Sequence, residues 1–309
     1  MGRHNRKCYS GILNHCYQNT IEGKLIFYTI SDFLVYFTIF CTITPRYKVT
    51  VVGLTLMYDH IHKSMSADSR KELYRCSQNI TSVFAKEHNK TLKRKGSLFR
   101  KPFGSVPKYS DKKARSNIIY LANNPVERSI VKYAEEYRWN FLAYYNSNHP
   151  FSKKISKHSA SKYLLWAMKV VDKKRKNSEY LTNPLLQTLF KKLSKTEKEQ
   201  LVDYIISVYN VIDYQTAIRF WGSYEKMIIA IHSTTGEEYD LNEVFVGKRD
   251  DVYPTLTSLV LQSGKYKDIH YVVSLSAEEK IELFYYLQGR SSATAEQIAK
   301  YLHMRLEKS

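Results

Sequence analysis

A run of β-branched residues that ends in two histidines is the feature that most constrains this chain. The segment RYKVTVVGLTLMYDHIH (46–62) is rich in Val and Thr, which favours one extended strand, and Gly53 indicates a bulge or a close backbone approach. Residues two apart on a strand share a face, so His60 and His62 can aim both imidazoles at one point while Ile61 turns into the core. Two histidines also share a solvated strand face by chance, and a metal ion needs more than two ligands.

Strand-like and helix-like segments alternate over the first half of the chain. CYQNTIEGKLIFY (16–28) predicts a strand region that is broken by a turn at Glu22–Gly23. Helices are expected over 32–43, where Ser31 would be the cap, over about 68–88, and over 114–125. This alternation predicts a domain that contains both strands and helices.

The pattern changes after residue 147. Three long amphipathic segments without strand alternation follow, at 159–171, 201–212 and 214–231. The polar stretch NSNHPFSKKISKH (146–158) marks a boundary, so we expect a domain of strands and helices over 1–147 and a mostly α-helical accessory domain over 148–309. Two helices with a short turn are predicted within 274–304, with caps at Ser276 and Thr294. This end is helix-turn-helix-like, and both DNA reading and plain helical packing stay open for it.

The charge of the chain indicates a polyanionic partner. The 309 residues contain 48 Lys and Arg against 29 Asp and Glu, a formal net charge of +19. The phosphate backbone of a nucleic acid is the commonest polyanion, although a non-binding basic surface or an anionic membrane would suit the charge as well. The 4 cysteines have no Cys-x-x-Cys spacing, which indicates reduced cytoplasmic thiols. The most apolar stretch is too short to span a bilayer, so no membrane partner is expected.

A tyrosine and an asparagine lie on one face of the third predicted helix. Tyr120 and Asn124 are four residues apart, which places their side chains one turn from each other. Asn124 precedes Pro125, which biases the helix to end there, so that a helix C-cap would account for the asparagine. The chain has 26 tyrosines, and packing explains any single one of them as well as chemistry does.

Four motifs together resemble a known family. They are DHIH (59–62), GSLFRKPFG (96–104), YLANNPV (120–126) and EYRWNFLAYY (136–145). Their order and spacing resemble the single-tyrosine HUH transposases, and most closely the REP-associated tyrosine transposases. The resemblance covers about the first 145 residues and departs at Tyr58–Asp59, where the family often has a proline-containing turn. It implies an HUH-type α+β domain with an antiparallel sheet flanked by helices.

The resemblance also implies a chemistry and a set of site residues. His60, His62 and Asn124 would bind a divalent cation, and the mixed nitrogen and oxygen donors suit Mg²⁺ or Mn²⁺ better than a structural zinc. Tyr120 would attack the phosphorus of single-stranded or hairpin DNA and form a 5′-phosphotyrosine. The implied function is a metal-dependent single-stranded DNA endonuclease and strand transferase, a transposase, in the bacterial cytoplasm at the nucleoid.

The basic segment over residues 86–113 interleaves cations with aromatic residues, as single-strand binding surfaces do. A solvated charge run is the alternative explanation. The residues expected to contact DNA are Lys93, Arg94, Lys95, Phe99, Arg100, Lys101, Lys112 and Lys113.

Two other functions remain open at the level of sequence. One is a domesticated DNA-binding protein that keeps the fold and does not cleave, although all the motif groups are present. The other is a relaxase or replication initiator, which uses the same histidine motif but commonly carries it in a different order relative to the tyrosine. The sequence also leaves open whether the chain forms a homodimer.

Overall fold

The strands form one sheet within the first 108 residues of the chain. The computed structural model describes residues 8–101, 103–156, 158–233 and 249–306. Within these ranges the chain forms a 4-stranded antiparallel sheet in the order β2-β3-β1-β4. The strands are β1 (Leu13–Asn19), β2 (Val49–Leu56), β3 (His60–Ala67) and β4 (Gly104–Lys108). The helices of this half are α1 (Ile30–Ile43), α2 (Arg70–Thr91) and α3 (Asp111–Glu127). The predicted α+β class is confirmed.

The second half of the chain is mostly helical, as predicted. Its helices are α4 (Lys162–Lys176), α5 (Asn183–Phe190), α6 (Lys195–Tyr209), α7 (Tyr214–Ile218), α8 (Tyr224–Ser233), α9 (Val252–Gln262), α10 (Tyr271–Ser274), α11 (Ala277–Gln288) and α12 (Ala295–Leu302). Ser276 and Thr294 cap α11 and α12 through reciprocal capping boxes, as the sequence predicted. Residues 307–309, at the helix-turn-helix-like end, lie outside the described residues. The division at residue 147 and the DNA-reading role of this end stay predictions.

Helices cover both faces of the sheet. One face packs against α1 and α2, and Ile61 of β3 lies fully buried in that core. The other face packs against α3, where Val52 of β2 meets Ile118 and Ile119. The helices α4, α5 and α6 pack on the α1 side, within the same apolar cluster as Ile61. Since successive residues of a strand alternate between faces, His60 and His62 belong to the α3 side.

The single strand predicted over residues 46–62 is wrong, because the segment is a hairpin. β2 ends at Leu56, β3 begins at His60, and the N–H of Met57 donates to the carbonyl of His60 across the turn (2.9 Å). The prediction at Gly53 is confirmed. Val51 pairs with Met65 and Gly53 pairs with Ser64, so the strand bulges between them, and a Cβ on Gly53 would lie 3.4 Å from Leu121 of α3.

The start of α1 and the structure of the basic segment differ from the prediction. The cap of α1 is Thr29 and not Ser31, because Thr29 and Asp32 form a reciprocal capping box. The basic segment 86–113 is more ordered than a loop, since α2 continues to Thr91 and β4 occupies 104–108.

Pro125 lies inside α3 and does not end it, contrary to the sequence expectation, so Asn124 is not a C-cap. A proline lacks the N–H that would bond the carbonyl four residues earlier, here that of Leu121. The hydroxyl of Thr55 on β2 donates to this carbonyl instead (2.8 Å). A tertiary contact therefore compensates for the missing hydrogen bond, and α3 continues for two residues beyond the proline to Glu127.

Candidate active site

The two histidines of β3 and the asparagine of α3 meet between the sheet and the helix. Nε2 of His60 lies 3.3 Å from Oδ1 of Asn124, and Nε2 of His62 lies 3.4 Å from Nδ2 of the same amide. All three side chains are buried. The rings of His60 and His62 stand nearly perpendicular, with centroids 4.8 Å apart. Their Nε2 atoms therefore point at one amide group, as the sequence hypothesis required.

A third histidine, which sequence reasoning missed, belongs to the same cluster. His15 on β1 is fully buried, and its Nε2 lies 2.9 Å from Nδ1 of His62. The neighbouring strand supplies it, because β1 and β3 pair with Tyr17 opposite His62. No spacing signal connects residues 15 and 62, and only the sheet topology brings them together.

Tyr120 lies against this cluster from α3. Its side chain is 1% exposed. Its ring meets His62 edge-on at a centroid distance of 5.2 Å and His15 at 5.5 Å. The competing tyrosine, Tyr58, precedes β3 and packs against Phe33 and Tyr253, away from the histidine cluster. Of these two tyrosines, Tyr120 alone contacts the histidines.

A carboxylate orients His60 from the opposite side. Nδ1 of His60 forms a short hydrogen bond with the Asp59 carboxylate, and Nζ of Lys300 on α12 lies 3.5 Å from the other carboxylate oxygen. Burial raises the pKa of Asp59, but the neighbouring His60 and Lys300 outweigh burial and hold that pKa below its ordinary value. Asp59 is therefore a charged partner that fixes the ring of His60. Its position directly before the first histidine was the available sequence signal.

A second buried ion pair borders the cluster. Arg128, one residue past α3, lies 3.4 Å from Asp250, and the Asp250 N–H donates to the Arg128 carbonyl (2.9 Å). Burial and the charge of Asp59 raise the pKa of Asp250 to about 6. The carboxylates of Asp59 and Asp250 therefore repel each other, and the positive charges of Arg128 and Lys300 offset part of this repulsion.

The donor set fits a divalent cation. Burial, and then the neighbouring histidines, lower the pKa of His62 well below its ordinary value, so this imidazole is neutral, as a ligand must be. When His60 is neutral and donates from Nδ1 to Asp59, its Nε2 and Oδ1 of Asn124 face each other as two acceptors. A cation between them would satisfy both. Within the described ranges, no three His, Cys, Asp or Glu side chains form a metal-binding group, so the third donor here is the Asn124 amide.

The residues expected to contact DNA differ in their exposure to solvent. Lys95, Arg100, Lys101, Lys112 and Lys113 are exposed. Lys93 is also exposed, and its Nζ lies 5.5 Å from the ring centroid of Tyr271, while Arg94 donates to the Ser97 carbonyl (3.0 Å). Phe99 is buried in the core beside Phe84, so its ring faces the protein interior. The exposed aromatic residue of this segment is Tyr109, at 60%.

None of the helices in the described part of the chain is both long enough and apolar enough to cross a membrane.

Comparison with known proteins gives one structural likeness. No protein-family model matches the chain, and no curated protein matches it. A solved structure of a REP-associated tyrosine transposase bound to a REP hairpin is similar, with 12% sequence identity and a TM-score of 0.41. The likeness covers 52% of this chain and 98% of the other.

Proposed function

We propose that this protein is a metal-dependent endonuclease and strand transferase that acts on single-stranded DNA through a tyrosine nucleophile, as a transposase does. One observation carries the proposal. Nε2 of His60 and Nε2 of His62 face the side chain of Asn124, at 3.3 and 3.4 Å, and the ring of Tyr120 lies beside them on the same helix as Asn124. Plain core packing does not require these polar groups to converge.

The residues of the cluster divide into ligands and supports. His60, His62 and Asn124 would hold Mg²⁺ or Mn²⁺. When bound, the cation supplies charge stabilisation for a non-bridging oxygen of the scissile phosphate. Asp59 supports His60 and His15 supports His62, each through the ring nitrogen that does not face Asn124.

The bond changes follow from the nucleophile. The Oη of Tyr120 attacks the phosphorus and loses its proton to a base or to solvent, while the bond from phosphorus to the upstream 3′ oxygen breaks and that oxygen takes a proton. The products are a 5′-phosphotyrosine and a free 3′-hydroxyl. A 3′-hydroxyl of another strand can then attack the same phosphorus and release Tyr120. Because the covalent bond conserves the phosphodiester, strand transfer needs no nucleotide cofactor.

The charge of the chain supports a DNA substrate. The net charge is +19. Exposed cations lie between α2 and α3, at Lys95, Arg100 and Lys101, and in the first turn of α3, at Lys112 and Lys113. Positive surface attracts the DNA backbone and makes binding salt-dependent. Single-stranded DNA, or the unpaired part of a DNA hairpin, is the proposed form, because Tyr120 is buried and an unpaired strand is narrower than a duplex.

A non-cleaving DNA-binding protein of the same fold is the second candidate. The observation that favours it is the burial of the nucleophile, since Tyr120 is 1% exposed and Asn124 is fully buried. Cleavage requires this site to open to the phosphate, whereas binding at the exposed cations does not.

A covalent-adduct experiment separates the two candidates. The protein is incubated with labelled single-stranded DNA libraries and Mg²⁺ or Mn²⁺, and covalent protein–DNA products are resolved on a denaturing gel and sequenced. The first candidate predicts an adduct that Tyr120→Phe abolishes, because this variant removes the attacking oxygen and leaves the ring packing in place.

Tyr58→Phe is the matched control, since it removes the same atom from a tyrosine that packs away from the histidines. It should retain the adduct. An adduct that persists in Tyr120→Phe and disappears in Tyr58→Phe would mean that the nucleophile is misassigned. Tight DNA binding without any adduct would support the non-cleaving protein.

A further inference from the structure

Positive charge is concentrated in a part of the chain that the proposed active site does not use. Residues 151–200 contain thirteen Lys and Arg and four Asp and Glu, so this sixth of the chain carries a formal net charge of +9 out of +19. The segment contains α4, α5 and the start of α6. The charge therefore belongs to the helical half, apart from the basic segment at 86–113.

The exposed side chains of α4 form one stripe. Lys162, Trp166, Lys169, Lys173 and Lys176 are separated alternately by four and three residues and are all exposed. That spacing places them along a single face of a helix, over about 21 Å of its length. The opposite face, with Leu164, Ala167 and Val171, is buried in the α1 core. We call the exposed face the α4 stripe.

Two features show that the α4 stripe is more than ordinary solvated surface. Trp166 is 47% exposed, and within the described residues its ring stacks on no other aromatic side chain. Beside it, Tyr163 holds two cations over one ring, with Nζ of Lys162 at 5.4 Å and Nζ of Lys192, which precedes α6, at 4.9 Å. Neither ammonium has a carboxylate partner within 4.0 Å in the described part of the chain, so an anion at this point could interact with both.

Acidic groups near the α4 stripe leave its lysines unpaired. Lys174 on the flank forms an ion pair with Glu179, and Asp172 accepts a hydrogen bond from the hydroxyl of Tyr204. Among the described residues, the stripe lysines Lys169, Lys173 and Lys176 form no ion pair within 4.0 Å. The stripe therefore presents lysines with no carboxylate within 4.0 Å beside an exposed indole ring.

We propose that the α4 stripe is a second DNA-binding surface, which holds a single-stranded segment outside the catalytic site through phosphate contacts and base stacking on Trp166. Cations that follow a backbone and an aromatic ring that accepts bases are the elements of single-strand binding. The inference rests on the proposed function for its choice of DNA as the polyanion. An anionic membrane fits less well, because the apolar face of α4 is buried in the core and cannot insert.

The position of the stripe gives it a separate role. α4 packs on the α1 side of the sheet, whereas Tyr120 and the histidine cluster lie on the α3 side. The DNA segment bound at the stripe therefore does not contain the phosphate that Tyr120 attacks. It is either the flank of the same strand, carried around the domain, or a second strand.

Binding assays with chemically simple probes test the proposal. Fluorescence anisotropy measures the dissociation constants of the full chain for labelled oligothymidine of about 30 and about 8 nucleotides, lengths that do and do not exceed a single site. Lys169→Gln/Lys173→Gln/Lys176→Gln should weaken binding of the long strand and lower its salt slope by about 2, since each phosphate contact contributes about 0.7. The matched control, Lys71→Gln/Lys226→Gln/Lys267→Gln, removes the same charge from exposed positions elsewhere and should change both quantities less.

The tryptophan is tested separately. Trp166→Ala should weaken binding of the long single strand by about fivefold to a hundredfold, and Trp166→Phe should restore most of it, because stacking on one aromatic ring contributes that much. Binding of a duplex of equal length should not change, since its bases are paired. Circular dichroism melting curves should confirm that these exposed substitutions leave the fold intact.

The outcomes separate this inference from the proposed function. If no covalent adduct forms at Tyr120 but the stripe variants lose affinity for oligothymidine, the active-site proposal fails and the second surface stands. If cleavage proceeds and the stripe lysine variant binds long strands as the control does, the second surface is overturned. The proposal would also be overturned if the stripe variants lost binding to phosphatidylglycerol vesicles while their DNA binding stayed unchanged.

Discussion

Nε2 of His15 lies 2.9 Å from Nδ1 of His62, although β1 and β3 bring these residues together from 47 positions apart. The contact holds the ring of His62 in place, with one of the two nitrogens donating and the other accepting. When Nδ1 of His62 donates to His15, Nε2 is left with its lone pair toward Asn124. His15 is thus a positioning residue for a proposed metal ligand.

His15→Leu should lower metal-dependent cleavage by about tenfold to a hundredfold, the usual effect of removing the partner that orients a ligating histidine. The loss should take the form of a higher Mn²⁺ concentration for half-maximal activity. His15→Gln should recover much of the activity, because its Oε1 can accept the same hydrogen bond. A leucine variant with the wild-type metal dependence would show that His15 has only a packing role.

Removal of the proposed ligands should abolish cleavage without abolishing DNA binding. EDTA, His60→Ala, His62→Ala and Asn124→Ala should each eliminate the covalent adduct, because the cation loses its site or is withdrawn. His232→Ala is the control, since this exposed histidine on α8 pairs with Glu135 away from the cluster. Full activity in EDTA would contradict the metal assignment for these three residues.

Local signals in the sequence were enough to place most helices. The caps at Ser276 and Thr294 were predicted correctly, because a capping box depends on residues three positions apart. The start of α1 was missed by two residues, since Thr29 and Ser31 are both good caps and only the position of Asp32 distinguishes them.

Other features depend on contacts that no local pattern encodes. The β2–β3 turn at 57–59 has no Gly, Pro or Asn to indicate it, and its first residue, Met57, is fully buried. Pro125 lies within α3, where Thr55, seventy positions earlier, donates to the carbonyl that the proline leaves free. Sequence motifs indicated His60, His62, Tyr120 and Asn124, whereas His15 and Lys300 enter the cluster through strand pairing and helix packing.

The ion pair between Lys300 and Asp59 ties α12 to the proposed site, and its loss should destabilise the fold modestly. Nζ of Lys300 lies 3.5 Å from Asp59, and its side chain is 31% exposed. Solvent screens such a contact, so Lys300→Met should lower the free energy of unfolding by about 1 kcal/mol. Urea denaturation measures this change. A double-mutant cycle with Asp59→Asn isolates the pair, and a coupling free energy of zero would show that the contact contributes nothing to stability.

The triad Asp32–His270–Asp268, in which Asp32 and His270 are buried, should make stability depend on pH in the alkaline range. Nε2 of His270 lies 2.9 Å from Asp32 and its Nδ1 lies 2.8 Å from Asp268. Burial lowers the pKa of His270, but the two carboxylates outweigh burial and raise that pKa from 6.5 to about 10. The charged histidine joins the loop before α10 to the first turn of α1, so the triad stabilises contact between the two halves of the chain.

A pKa that is higher in the folded than in the unfolded state contributes stability that is complete below the unfolded value and is lost as pH rises through the folded value. The free energy of unfolding should therefore fall between about pH 6.5 and about pH 10, by an amount on the order of a few kcal/mol. His270→Gln keeps a donor toward Asp32 but cannot titrate, so it should be less stable than the wild type near neutral pH and should lose less stability toward pH 10. Lysines, tyrosines and cysteines titrate in the same range in both proteins, and the difference between their urea denaturation curves isolates His270. Parallel curves across this range would show that the triad does not hold a charged histidine.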